Sequence, residues 1–249
     1  MDKEAINSEI REKAVSIADA AGRERLVIKD ESVGELAELH ALTVREIYLA
    51  ALALDICPYR YIRNGEAIST AEQLKLAESH VAVVGAGGLG GQVIVLLARI
   101  GIGALTVVDR DRFDETNLNR QSLCRQGSLG RLKAHEAASV VAAVNPAVAV
   151  FPHAVRLDER NIDAIVKDCH VMVDALDNIP DRLMMEKAAK RRDIPLVHGA
   201  VAGFKGQWMV IGGDDEGFQT LFADDPDMRS DRRSPENLLG VPSIAPAVV

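Results

Sequence analysis

A doubly wound, mainly parallel α/β sheet, with a helical segment added in front and antiparallel strand behind, is the fold this sequence predicts, on three observations. From residue 80 onward, short apolar runs alternate with segments of helical period. Between the first such strand and its helix stands Gly85-Ala-Gly87-Gly88-Leu-Gly90, a glycine turn of GxGxxG spacing that brings backbone N–H groups and a helix N-terminus to one point. After Gly203 the pattern changes to Lys205-Gly-Gln-Trp-Met-Val-Ile211, whose period of two marks an antiparallel strand.

The elements follow in order. Met1 to about Ala21 is charged and helical in pattern, and Ser32 to Leu54 is a second helical region with Leu36, Leu39, Val44, Ile47, Leu49 and Leu54 available for an apolar face. The second region has the length of two short helices and imitates a helix-turn-helix. Its acidic residues and lack of a basic recognition face favour a packing or dimerisation arm instead. Pro58 ends it, so residues 1–58 form an N-terminal helical arm and 59–249 a second, nucleotide-binding domain. Tyr59 to Asn64 is a linker, and Ser69-Thr-Ala-Glu72 starts a capped helix that runs to Glu78. Strands are then expected at 80–85, 104–109, 147–153, 170–174 and 195–201, and helices at 88–100, near 130–144, 159–168 and 179–192. Asn145-Pro146 and Ile194-Pro195 punctuate helix ends, because the residue before proline is pushed out of the α region. Residues 212–240 are a polar, Asp-rich loop in which Arg229, Arg232 and Arg233 are solvated among aspartates.

Bulk properties narrow the function classes. With 249 residues and 48% hydrophobic content the chain buries one substantial core plus an appendage. A net charge of −8 with no basic stripe argues against nucleic acid as partner. Cys57, Cys124 and Cys169 stand singly, which gives neither a disulfide framework nor a tetrahedral zinc site, and suits a reducing cytoplasm. No apolar run reaches the length of a membrane span, and no charged-then-apolar leader opens the sequence.

The chemistry gathers at the carboxyl ends of the expected strands, where open α/β sheets form their ligand crevice. Asp109 closes the second strand of the sheet and suits a ribose hydroxyl. Asn117, Arg120 and Lys133 follow it, and Asp174-Ala-Leu-Asp177-Asn178 with Arg182 follows the fourth strand. Together with the glycine turn these offer ribose recognition, positive charge for a polyphosphate, and in Asp177 a carboxylate able to hold Mg²⁺ through oxygen. The glycine turn and Asp109 alone serve an NAD-dependent oxidoreductase equally well, and a non-catalytic nucleotide-binding scaffold is a third reading.

From Arg60 to Val249 the sequence resembles the ThiF/MoeB/HesA family, bacterial relatives of ubiquitin-activating enzymes. The resemblance rests on Arg60-Tyr-Ile-Arg63-Asn64, the Gly85 to Gly90 turn, Asp109 with Asp111, Asn117-Leu-Asn-Arg120-Gln121, Gly130-Arg-Leu-Lys133, Asp174 to Asn178 with Arg182, and His198-Gly-Ala200. It implies a Rossmann-like adenylyltransferase that uses ATP and Mg²⁺ to adenylate the C-terminal glycine of a ubiquitin-like sulfur carrier ending in Gly-Gly, in thiamine or molybdopterin-type cofactor synthesis. Under it, Gly85, Gly87, Gly88, Gly90 and Gln121 bind the nucleotide and Asp109 its ribose. Asn117, Arg120 and Lys133 hold phosphates, Asp177 holds the metal, and Asn178 and Arg182 organise the loop. The arginine matching Arg63 reaches the nucleotide of a neighbouring subunit, which implies a homodimer. Two departures matter: the paired CxxC motifs of zinc-bearing members are missing, so zinc is not expected, and Asp214 to Leu239 holds no cysteine for thioester chemistry. Gly240 to Val249 resembles a segment that leads into another helix, so the C-terminus is either truncated or abbreviated.

Duller roles accompany some of these residues. Asp177 with Asn178 also suits a helix cap. Cys124 reads as a small packing residue, His198 as a pocket wall or a partner for a backbone carbonyl, and Trp208 as core or carrier-facing surface.

Overall fold

The computed structural model describes residues 3–19, 21–202, 205–218 and 220. Two compact units emerge, one gathering Met1–Ser79, Leu97–Ala104 and Ala142–Ala149, the other His80–Leu96, Leu105–Val141 and Val150–Val249. Among the described residues no helix is long and apolar enough to cross a membrane.

The first unit begins with α1 (Lys3–Lys13), β1 (Val15–Ala18), β2 (Glu24–Ile28), α2 (Asp30–His40), α3 (Val44–Ala53) and β3 (Cys57–Pro58). A 3-10 turn (Tyr59–Glu66) and α4 (Thr70–Glu78) complete it. Where the charge pattern suggests one helix to about Ala21, the chain instead turns into a hairpin: β1 pairs antiparallel with β2, and β2 pairs parallel with β3. The cause is local. Asp19 accepts hydrogen bonds from the backbone N–H groups of Ala21 and Arg23 and from the guanidiniums of Arg23 and Arg25, while Gly22 takes φ +77°. The segment expected as a linker is likewise anchored as a 3-10 turn. Its Arg60 binds Asp30 and the Val144 carbonyl, the Tyr61 hydroxyl accepts from Asn145, and Asn64 donates to Gln73. The helix starting after Ser69 forms as its sequence dictates, with Ser69 and Glu72 in a reciprocal capping box. Ile6, Ile10, Val33, Leu36, Ile47 and Tyr48 form the core of this unit.

The second unit's sheet comprises β4 (His80–Val84), β5 (Ala104–Val108), β6 (Ala149–His153), β7 (Val171–Asp174), β8 (Leu196–Ala202) and β9 (Lys205–Ile211), in the order β6-β5-β4-β7-β8-β9. β4, β7 and β8 run parallel, and β9 returns antiparallel to β8 as its alternation predicts. The helices are α5 (Gly88–Ile100), α6 (Lys133–Val144), α7 (Ile162–Ile165) and α8 (Ile179–Arg192). α7 is one turn rather than the ten residues expected, because Asp158 and Asn161 spend their side chains on local backbone groups and on the Arg156 carbonyl. α6 starts at Lys133, after Gly130 turns the chain at φ +78°. Strand order reverses at β4, which lies between β5 and β7; in such sheets the crevice opens at that switch point. Arg229, Arg232, Arg233, the remaining 221–240 loop and the Gly240 to Val249 segment lie outside the described residues.

Candidate functional site

At this switch point the second unit carries a cleft of about 410 Å³, lined by Gly85, Gly87, Gly88, Asp109, Arg120, Gln121, Lys133, Asp177 and Asn178 among others. The glycine turn forms its floor. Gly85 sits at φ +94°, and a side chain there would place its Cβ 2.6 Å from the Ala175 carbonyl oxygen. A Cβ on Gly90 would fall 1.7 Å from the Gly85 oxygen, so that glycine lets α5 pack against the turn rather than facing the cleft. Gly88 opens α5 and has nothing within 4 Å of where a side chain would begin. A thirteen-residue helix thus begins at the cleft, the arrangement that receives an anion.

Around the floor each polar group is held by its own element. Asp109 follows β5 and is aimed by two backbone donors, Ala86 N–H to Oδ2 and Asp111 N–H to Oδ1, both at 2.8 Å; each oxygen keeps a further lone pair. Arg120 is half-buried and braced by the Thr116 carbonyl at 2.9 Å and Asn119 Oδ1 at 3.1 Å. The Lys133 side chain is almost wholly buried, its Nζ 3.5 Å from Asp111 Oδ2 and 6.0 Å from the centre of the Phe113 ring. Gln121 is 7% exposed, and its Oε1 has no hydrogen-bond partner among the described residues. An amide oxygen buried in this way costs about 1–3 kcal/mol, which a ligand hydroxyl would recover.

The fourth side of the cleft is the turn after β7. Asn178 caps α8, accepting from the Asp181 N–H at 3.0 Å, so the cap falls to Asn178 and not to its neighbour. Asp177 is exposed and without a partner among the described residues. Arg182, buried beneath, donates from Nη2 to the Leu176 carbonyl at 2.5 Å, while its Nε has no hydrogen-bond partner among the described residues.

Besides Gly90, two residues expected at the site lie elsewhere. Asn117 does not line the cleft: its Oδ1 accepts from the Asp114 N–H, and its carbonyl accepts from Gln121, so it shapes the turn that presents Arg120. Arg63 belongs to the 3-10 turn of the first unit and is not among the lining residues. Unlike Arg60, Tyr61 and Asn64 on that turn, it is exposed and without a partner among the described residues. Arg156, half of an ion pair with Asp181 at 3.8 Å, lines the cleft and was not singled out from the sequence. It follows β6 at the sheet edge that also delivers Asp109 and Asp177, so the same rule applied to β6 finds it. His198 neither lines the cleft nor meets a carbonyl. It is fully buried, with Nδ1 2.7 Å from Asp174 Oδ2.

No cysteine lines the cleft. Burial pushes the Cys57 thiol up to about 11 and raises Cys124 and Cys169 as well, which keeps these thiols protonated near neutrality.

The chain is similar to known proteins. A family model described as the ThiF family matches residues 60–248. The SAMP-activating enzyme E1 of Haloferax volcanii is 41% identical over 155 residues, 62% of this chain and 57% of that protein. The sulfur carrier protein adenylyltransferase of Thermus thermophilus is 40% identical over 139 residues, 56% of this chain and 51% of its own length. The chain therefore spans little more than half the length of these curated relatives. Among solved structures, the tRNA N6-threonylcarbamoyladenosine dehydratase TcdA of E. coli, in complex with ATP, superposes with a TM-score of 0.56 at 29% identity, covering 58% of this chain and 60% of that one.

Proposed function

This chain belongs to the ThiF family, and on that premise we propose that it is an adenylyltransferase, activating the C-terminal glycine of a ubiquitin-like sulfur-carrier protein with ATP. The observation that carries the reading is the meeting, in one cleft, of an open helix N-terminus, a backbone-aimed ribose acid, two cations on separate elements and an unpartnered carboxylate. The names of the Haloferax and Thermus relatives support it. Hydride transfer has no use for the two cations and the free acid.

In the proposed reaction a carrier carboxylate oxygen attacks the α-phosphorus, the bond from that phosphorus to the bridging oxygen breaks, and pyrophosphate leaves with the electron pair. The barrier is the approach of two anions, so the work is positioning and charge stabilisation. Gly87, Gly88 and the start of α5 cradle phosphate, Asp109 and Gln121 take the ribose, and Arg120 and Lys133 neutralise the triphosphate. Asn117 acts by shaping the Arg120 turn. Asp177 fits Mg²⁺: among the described residues no group of three or more metal-binding side chains exists, and this ion takes one or two protein carboxylates and completes its shell with phosphate oxygens and water. When bound, the ion would withdraw charge from the phosphate oxygens.

The carrier's place is suggested by the sheet. Trp208 is 81% exposed and Val210 is exposed beside it; they share a face with Val197, Gly199 and Val201, and Val201 also lines the cleft. An extended Gly-Gly tail laid along this apolar face would end at the nucleotide. Residues 59–249 would form the adenylation domain, acting in the cytoplasm as a homodimer in which Arg63 of one copy serves the other's nucleotide.

The test is exchange of labelled pyrophosphate into ATP in the presence of a Gly-Gly-ended carrier. Wild type is expected to catalyse it only with carrier. Arg63→Ala and Asp177→Asn are each expected to fail alone and together to restore about a quarter of the sites, since half the dimers are mixed and each holds one intact site of two. Exchange without carrier, or none with any such carrier, counts against the activity; a mixture no better than its parts counts against the shared site.

A further inference from the structure

Behind the Asp177 turn lies a buried polar group that the proposed reaction does not use. Asp174 ends β7 and is 1% exposed. Its Oδ1 accepts from the Leu176 N–H at 2.9 Å, and its Oδ2 lies 2.7 Å from His198 Nδ1 and 3.6 Å from Arg182 Nε. Arg182 in turn donates to the Leu176 carbonyl. Both backbone groups of Leu176, the residue before Asp177, are therefore fixed by a pair that shares one buried carboxylate. His198, 24 residues away on β8, is what holds that carboxylate's second oxygen.

The imidazole meets a partner at each nitrogen. Nδ1 faces the Asp174 carboxylate, which accepts from it. Gln207 Nε2 on β9 lies 3.2 Å from Nε2. The Phe218 ring packs edge-on against the imidazole, centroids 4.9 Å apart at 90°. The ring is held from three sides and has one orientation.

We propose that His198 is a positioning residue for the nucleotide site: clamped by Gln207 and Phe218, it fixes the Asp174 carboxylate, which with Arg182 locks the Leu176 peptide and so sets where the Asp177 carboxylate stands. This rests on the reading of Asp177 as the Mg²⁺ carboxylate. Outer partners that orient a metal-binding carboxylate change metal affinity on the order of tenfold or more when removed.

The experiment is calorimetric titration of the full chain with ATP, with and without Mg²⁺ and without carrier. For His198→Leu, which keeps the volume and removes the donor, ATP affinity is expected to fall about tenfold with Mg²⁺ and to stay unchanged without it. For His198→Asn, whose amide donates from nearly the position of Nδ1, affinity should return to within about twofold of wild type. Equal affinities for all three proteins in Mg²⁺, or equal losses with and without it, would overturn the role. Should His198→Leu fail to fold, Gln207→Leu decides: a two- to threefold loss confined to Mg²⁺ conditions supports the role, and no change overturns it. A wild type whose ATP affinity ignores Mg²⁺ would sink the Asp177 reading itself, and this inference with it.

Discussion

The charged residues of the first unit and those of the cleft are built on opposite terms. In the first unit Asp30 accepts from the Tyr48 hydroxyl and the Arg60 guanidinium, and Asp19 is ringed by two guanidiniums and two backbone N–H groups. Both of these carboxylates are answered. Despite partial burial, the Arg60 guanidinium and Tyr48 hydroxyl hold the Asp30 carboxyl below its usual range, and burial pushes the Tyr48 hydroxyl up so that it stays a donor. In the cleft, among the described residues, neither Gln121 Oε1 nor the Asp177 carboxylate has a partner. Polar groups of the cleft that the fold leaves open are those to which a ligand can supply the missing half. The difference separates polar residues that hold the fold from polar residues that wait for chemistry.

That contrast is broken most directly at Arg120. Its side chain braces only its own turn, so Arg120→Ala is expected to cut carrier-dependent exchange by about 10²-fold or more with an unchanged melting temperature. A matching loss of stability would place it with the structural charges instead.

The opposite signature belongs to Ile47, fully buried in the first unit's core. Ile47→Ala is expected to lower unfolding stability by about 2–5 kcal/mol, read by denaturant titration, while ATP affinity of the folded protein is kept. Weakened ATP binding at saturating stability would show that the two classes are not separate.

A smaller effect sharpens the comparison through pH. The Arg23 backbone N–H, then the Arg25 and Arg23 guanidiniums and the Ala21 N–H, outweigh burial and hold the Asp19 carboxyl well below the ordinary carboxylate range. A carboxyl depressed in the folded state contributes stability above its unfolded value and loses that contribution as pH falls below about 4 toward the folded value. Asp19→Asn should therefore be less stable than wild type at neutral pH and converge on it in acid, as thermal melts across that range would show. A constant gap between the two would remove the carboxylate's charge from the account.

How much of this was legible in the sequence depends on the range of the interaction. The α4 start was written in Ser69 and Glu72, three residues apart, and the strand-helix alternation placed the glycine turn, Asp109, Arg120, Lys133 and Asp177 on one edge of the sheet. The hairpin of β1 and β2 was not legible. Its strands are four and five residues long, β1 is largely exposed, and neither supplies a period to count. Asn117 looked like a ligand because of its neighbours, whereas its side chain closes its own local turn. The His198–Asp174 pair joins β7 and β8 across a register that only the assembled sheet defines.

The central claim is that the carrier carboxylate attacks the α-phosphorus in this cleft. Label the two terminal carboxylate oxygens of a Gly-Gly-ended carrier with ¹⁸O, let the chain turn it over with ATP and a small amine or thiol acceptor, and weigh the nucleotide by mass spectrometry. One heavy oxygen in the AMP phosphate is the result expected. Heavy inorganic phosphate with unlabelled ADP would mean attack at the terminal phosphorus, and would contradict the account.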